Sequence, residues 1–338
     1  MARKEAPLKE EEMSMKRRTL LAGAPLLTSA LIGAAEAQEA WPSRPVTIIV
    51  PFTPGGSSDI IARAMAQNMQ QALGRPVVVE NRPGAGGEIG ARTVIRAAPD
   101  GHTLMHAPIS TWAINVPLRP RLGYDPVTQL TRIMQTVRTP NVLVVNPQRI
   151  QADDLAGVVE WAKRTRGAAY SSSGNGSSDH LTAEMFKQAV GADITHVPFS
   201  GGSPATTALL SGDVQLSFQN LGSITPQIAA GRVKPILVTS EQRSPLLPNV
   251  PTAAEAGLND FVVYSWQGLG GPAGIEGPLL QRIHAAAAAS LRQSETAARF
   301  AEMGFEVVAS SPEEFAPFQE GEIARWRRVI QAGGITVD

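Results

Sequence analysis

Three short stretches hold the residue types from which a binding site is built. They are Phe52-Thr53-Pro54-Gly55-Gly56-Ser57-Ser58-Asp59, Ser171-Ser172-Ser173-Gly174-Asn175-Gly176-Ser177-Ser178-Asp179-His180, and Phe199-Ser200-Gly201-Gly202-Ser203-Pro204-Ala205. Each follows a β-rich run and enters a helical pattern. A helix N-terminus presents N–H groups with no intrahelical acceptor and carries about half a unit of positive charge. Glycine lets the main chain approach a ligand closely, and hydroxyls add donors. None of the three contains Lys or Arg. The expectation is therefore an anion held mainly by main-chain amides and hydroxyls. A charge-assisted hydrogen bond is worth roughly 1.5–3 kcal/mol, so about four or five suffice for micromolar binding after the cost of association. Taken singly, each turn also reads as an ordinary entry into a helix. The binding reading rests on finding three of them. Asp59 either caps its helix or captures a ligand amino group. His180, in a first helical turn, either donates to an anion as a neutral imidazole or serves as a structural cap.

Catalysis finds little support in the same residues. No G-x-S-x-G elbow or S-x-x-K pattern surrounds a serine. Gly174-x-Gly176 lacks the third glycine of a dinucleotide fingerprint, and no Walker sequence occurs. His102 and His106 are four apart on an expected strand, with no carboxylate or thiol partner nearby, so no metal is expected there. Asp179-His180 beside several serines is the one hint of a secreted hydrolase. No cofactor is expected.

The elements that must position these turns alternate along the chain. Val46–Val50 is β-rich and ends at Pro51. Ile61, Met65, Met69 and Leu73 then fall on one helical face, with a stop at Gly74. Strands are expected at 77–79, 103–106, 141–145, 169–171, 194–197, 214–218 and 233–238. Helices are expected at 87–98, 153–164, 178–190, 203–210, 279–293, 295–303 and 312–331. Such alternation implies parallel sheets covered by helices on both faces, an α/β chain with two doubly wound domains. Val137–Pro140 and Phe261–Gly268 read as crossings between them. The expected domains are 38–140 with 262–338, and 141–261, with a ligand cleft at the carboxyl ends of the strands.

The 338 residues are enough for about two domains. Thirty basic residues balance thirty acidic ones. Without a long basic run or a basic–aromatic pattern, a nucleic-acid partner is not expected. The 31 glycines and 26 prolines exceed the average but fall short of a disordered composition. The absence of cysteine excludes disulfides and thiolate metal sites. Lys16-Arg17-Arg18, an apolar run from Leu20 to about Ala34, and Ala35-Glu36-Ala37 form the three parts of a secretory signal peptide. That run is shorter than the ~20 residues of a spanning helix. Cleavage after Ala37 and a mature start at Gln38 are expected. The mixed charges of residues 1–14 suggest that translation starts at Met15. Arg17-Arg18 leaves both general and twin-arginine export open.

The ordered set of turns resembles the Bug family, the extracytoplasmic solute receptors of tripartite tricarboxylate transporters. Trp41-Pro42-Ser43-Arg44-Pro45 leading to Val50-Pro51-Phe52-Thr53-Pro54-Gly55-Gly56 is similar to the family's opening. Asn81-Arg82-Pro83-Gly84-Ala85-Gly86-Gly87, then His196-Val197-Pro198-Phe199, continue the resemblance over essentially the whole mature chain. Arg243-Ser244, Ser265-Trp266 and Glu322-x-x-x-Trp326 extend it. The resemblance implies a type II periplasmic binding-protein fold, no catalysis, and a small carboxylate ligand: a di- or tricarboxylate, an acidic amino acid or an aromatic acid. It places ligand contacts at Phe52, Thr53, Gly55, Gly56 and Ser57, at Asn175, Gly176 and His180, and at Ser200, Gly201 and Ser203. Ser110 and Thr111 follow another strand and join them. The implied protein is periplasmic and a monomer, and its partners are a large and a small transmembrane subunit. A receptor that presents ligand to a membrane sensor kinase fits the same pattern. One departure stands out: the family often carries an acidic residue where this chain has Gln219. A neutral amide pairs weakly with an ammonium group, so the expected ligand has no amino group.

Overall fold

The run Val46–Val50 is β-branched throughout and almost wholly buried, as a strand covered on both faces must be. It forms β1 in the computed structural model, which describes residues 41–337. The expected signal peptide and its cleavage site lie outside the described residues. Helix α1 (Ser57–Leu73) buries Ile61, Met65 and Met69 on one face, and Gly74 ends it at φ 62, donating to Gln70 O. Strand β2 (Val77–Asn81), α2 (Glu88–Ile95) and β3 (Thr103–Pro108) follow. A short π-type turn (Ser110–Ile114) then runs into α3 (Asn115–Leu118). The middle of the chain supplies β4 (Leu130–Val145), α4 (Leu155–Arg164), β5 (Ala169–Ser172), α5 (Ser178–Val190), β6 (Thr195–Pro198) and α6 (Gly202–Ser211). It continues through β7 (Leu216–Asn220), α7 (Leu221–Ala229) and β8 (Lys234–Val238). Strand β9 (Tyr264–Pro272), α8 (Gly277–Leu291), α9 (Ser294–Glu302), β10 (Glu306–Val307) and α10 (Pro312–Gly333) close it.

The strands hydrogen-bond in the order β2-β1-β3-β9-β4-β7-β5-β6, with β8 and β10 also on β4. The two outer groups, β2-β1-β3 and β7-β5-β6, are parallel, as the alternation predicts. The middle is not. Strands β9 and β4 are antiparallel to each other and to their neighbours β3 and β7. The expected crossing at Val137–Pro140 lies inside β4. The first part of β4, Leu130–Pro140, pairs with β9, and Asn141–Val145 pairs with β7 and β8. Crossing from one half to the other in a single extended strand costs no unpaired backbone, because both halves supply ladder partners.

Helix α10 starts with a capping box, Ser311 and Glu314 satisfying each other's backbone N–H groups. It packs on both halves. Phe315 meets Trp112 and Trp266 edge-on, and Val329 O accepts from Gln188 of α5 at 3.0 Å. The buried Glu322 accepts from the indole N–H groups of Trp266 at 2.9 Å and Trp326 at 3.1 Å.

Candidate functional site

The carboxyl ends of β1, β5, β6 and β7 each feed a glycine- or serine-bearing turn and then a helix. Four helix N-termini, those of α1, α5, α6 and α7, thus face one open cleft of about 780 Å³. That volume falls within the ~300–1,000 Å³ of small-molecule sites. At α1, α6 and α7 the cap positions are Gly56, Gly201 and Asn220, and none makes a side-chain cap bond. Their first-turn N–H groups are left for whatever occupies the cleft. At α5 the Ser177 hydroxyl accepts from His180 N at 3.3 Å. Gly201 sits at φ 123 and ψ 169, a conformation essentially restricted to glycine.

The first and second turns are braced in the same way. Ser57-Ser58-Asp59 and Ser177-Ser178-Asp179 repeat one tripeptide, and each aspartate folds back on its own turn. Asp59 Oδ2 accepts from Gly55 N at 3.0 Å, and Asp179 Oδ2 from Ser173 N at 2.6 Å. Asp59 is further held by Asn81 at 2.9 Å and by an ion pair to Arg63 at 2.9 Å. Burial pushes its carboxyl up, but the bonds from Arg63, Gly55 and Asn81 outweigh that and hold it below the ordinary value. Asp179 has no cation among its bonds, and burial raises it. Behind the turns, Ser58 Oγ donates to Gln267 Oε1 at 2.7 Å, and Asn220 Nδ2 contacts Ser178 Oγ at 3.5 Å. His106 lies between Ser58 O at 3.1 Å and Thr136 Oγ1 at 3.0 Å.

Phe52, Thr53, Gly55, Gly56, Ser57, Asp59, Ser110, Asn175, Gly176, Ser200, Gly201, Ser203 and Gln219 all line the cleft. Thr111 and His180 stand behind its wall. Thr111 is buried under Gly87, where a Cβ would come within 2.6 Å of its hydroxyl. His180 is 3% exposed; its Nδ1 accepts from Gly176 N at 3.1 Å, and its ring stacks on His196 at 4.0 Å. It supports the second turn from below. Gln219 donates to Ser217 Oγ at 2.7 Å, and its Oε1 faces Gly202.

Two features of the site were not read from the sequence. The first is the fourth helix entry, Asn220-Leu221-Gly222-Ser223. It follows the same strand-to-helix grammar as the other turns, and Leu221 and Ile224 mark its buried side. Pro226 inside the helix hides the pattern. The second is a cation. The three turns contain none, but Arg119, at the end of α3, lines the cleft from elsewhere. Its place in the chain carries no local signal, since only tertiary packing brings α3 to the second turn, where Leu118 lies against Gly176.

The hint of a hydrolase does not assemble. Asp179 bonds Ser173 while His180 bonds Gly176, so the two do not form a relay. Ser172 and His196 are 2.6 Å apart, but Ser172 is wholly buried and neither residue lines the cleft.

The family profile described as "Tripartite tricarboxylate transporter family receptor" matches residues 61–335. Protein BugT of Bordetella pertussis is 33% identical over 324 residues, covering 95% of this chain and 99% of BugT. The solved structure of Rpa4515 from R. palustris with adipate superimposes with a TM-score of 0.79 at 35% identity, covering 88% of this chain and 99% of that one. MatC from Rhodopseudomonas palustris with bound malate gives a TM-score of 0.76 at 34% identity, over 86% of this chain and 99% of that one. The periplasmic binding protein BugD gives 0.77 at 31%, over 88% and 99%. The chain belongs to the tripartite tricarboxylate transporter receptor family, and is a periplasmic solute-binding receptor of two α/β domains, not an enzyme.

Proposed function

We propose that this receptor captures a small carboxylate, a di- or tricarboxylate or an aromatic acid without an amino group, and delivers it to a large and a small transmembrane subunit. One observation carries the reading: four helix N-termini, three of them uncapped by side chains, converge on a single cleft. Main-chain N–H groups and aligned helix dipoles stabilise an anion without any side-chain charge. Two relatives of the same fold hold adipate and malate, which supports the ligand class. Contacts are assigned to the turns at Phe52–Ser57, Asn175–Gly176 and Ser200–Ser203, with Ser110 and Gln219 beside them. Gln219 offers a neutral amide where an ammonium group would need a carboxylate.

Residues 1–37 direct export and are removed once the chain crosses the membrane, and the mature chain acts as a monomer. Residues 38–140 with 262–338 form one lobe and 141–261 the other, and the lobes close on the ligand about β4 and β9. The test is a thermal-shift screen of the mature protein against a carboxylate library. A ligand at a hundred times its dissociation constant stabilises by ~2.7 kcal/mol. Absence of a shift with every di-, tri- and aromatic carboxylate would overturn the reading.

A further inference from the structure

Arg119 is the only cation among the described residues that line the cleft. Its position is built. Its Nε donates to Asn115 Oδ1 at 3.2 Å, and Asn115, 2% exposed, in turn donates to Gly86 O at 2.9 Å. The guanidinium lies against Gly86, where a Cβ would come within 2.8 Å of Nη2, so the close approach depends on glycine. Among the described residues neither Nη1 nor Nη2 has an acceptor, and no carboxylate forms an ion pair with Arg119. Glu88, at the start of α2, is taken by Arg92 at 3.3 Å.

The other charges on the cleft are all acidic. Asp59 and Asp179 are committed to their own turns, and Glu302 is exposed at the end of α9. An acidic group that reaches α3 therefore meets an uncompensated charge with free donors in a planar fork. That fork matches a carboxylate in bidentate geometry.

Resting on the reading that the cleft takes a small carboxylate, we propose that Arg119 determines its specificity. It binds the second acidic group of a two-headed acid through Nη1 and Nη2, while the helix N-termini hold the first. The cleft then prefers diacids to acids of the same length with one charge removed.

The test is calorimetry with linear α,ω-dicarboxylates from succinate to pimelate, each paired with its monomethyl ester. The wild type should bind its best diacid at least about tenfold more tightly than the matching half-ester, the effect expected of one charge-assisted bidentate contact. In Arg119→Gln that ratio should fall below about threefold, and Arg119→Lys, a point charge without the fork, should lie between. Unliganded thermal midpoints of the variants verify folding. An unaltered ratio in Arg119→Gln, or a wild type indifferent to the second charge, overturns the inference while leaving carboxylate binding intact. A wild type that binds neither member of any pair nor any other carboxylate overturns the proposed function as well.

Discussion

Lowering the pH from 7 to 5 should cost this fold about 4–6 kcal/mol through three histidines that it holds neutral. His106 is fully buried and His180 nearly so, while His196 is half-buried. Burial is the main cause in each. It lowers His180 to about 3, with His196 and Lys187 adding to the effect. It lowers His106 to about 4 against the opposing bond from Ser58, and His196 to about 4 against the pull of Glu184. A depressed histidine contributes stability that is present above its unfolded value of 6.5 and is lost as pH falls toward its folded value. His106 and His180 each lose about 1.4 kcal/mol per pH unit in that window, hence about 2 kcal/mol by pH 5, and the half-exposed His196 loses less because solvent screens its charge. His180 and His196 are stacked and titrate as a pair, which narrows the total to the range stated. Asp179 works in the opposite direction, because burial raises its carboxyl and acid relieves the cost of its charge. Against a typical stability of ~5–15 kcal/mol the net loss is large. Ligand affinity should hold over the same window, since His180 stays neutral in the folded protein and its Nδ1 goes on accepting from Gly176 N in the second turn. Urea unfolding at pH 7, 6 and 5 measures the first effect, and calorimetry at the same pH values the second. A urea midpoint that stays flat from pH 7 to 5, or imidazole resonances of the folded protein titrating near 6.5, would refute the reasoning.

Three more outcomes are expected. Gly201→Ala should destabilise by roughly 1–3 kcal/mol through backbone strain alone, since no atom stands within 4 Å of the added carbon; urea unfolding measures it, and ligand affinity should fall with it. Glu322→Leu leaves two buried indole N–H groups without an acceptor and should cost about 2–4 kcal/mol, read from the thermal midpoint. Small-angle scattering should show compaction with the carboxylate that gives the largest thermal shift, and unchanged dimensions at saturation would count against lobe closure.

The parts of this protein that are legible in sequence are those set by neighbouring residues. Four-residue spacing places α1, and Gly74 ends it, because a helix face and a left-handed cap are local facts. The glycine turns are legible for the same reason: a strand that stops and a helix that starts leave their marks within a few residues. What stayed hidden depends on residues far apart in the chain. The alternation of strands and helices implies parallel sheets, yet β4 and β9 lie antiparallel at the centre. Direction is decided by which distant strand offers a ladder partner. His180 sits beside the binding turn in sequence but behind it in space, because its ring packs on His196 from β6. Arg119 is the converse case. Nothing near it in the chain suggests a ligand, and only the packing of α3 between Gly86 and Gly176 brings its charge to the cleft. Hydrophobic spacing and turn chemistry act over one or two helical turns, so the sequence alone determined the elements and the anion-seeking character of their ends. Burial and packing act between segments from about fifteen to more than a hundred residues apart, so tertiary structure alone decided which groups face the ligand.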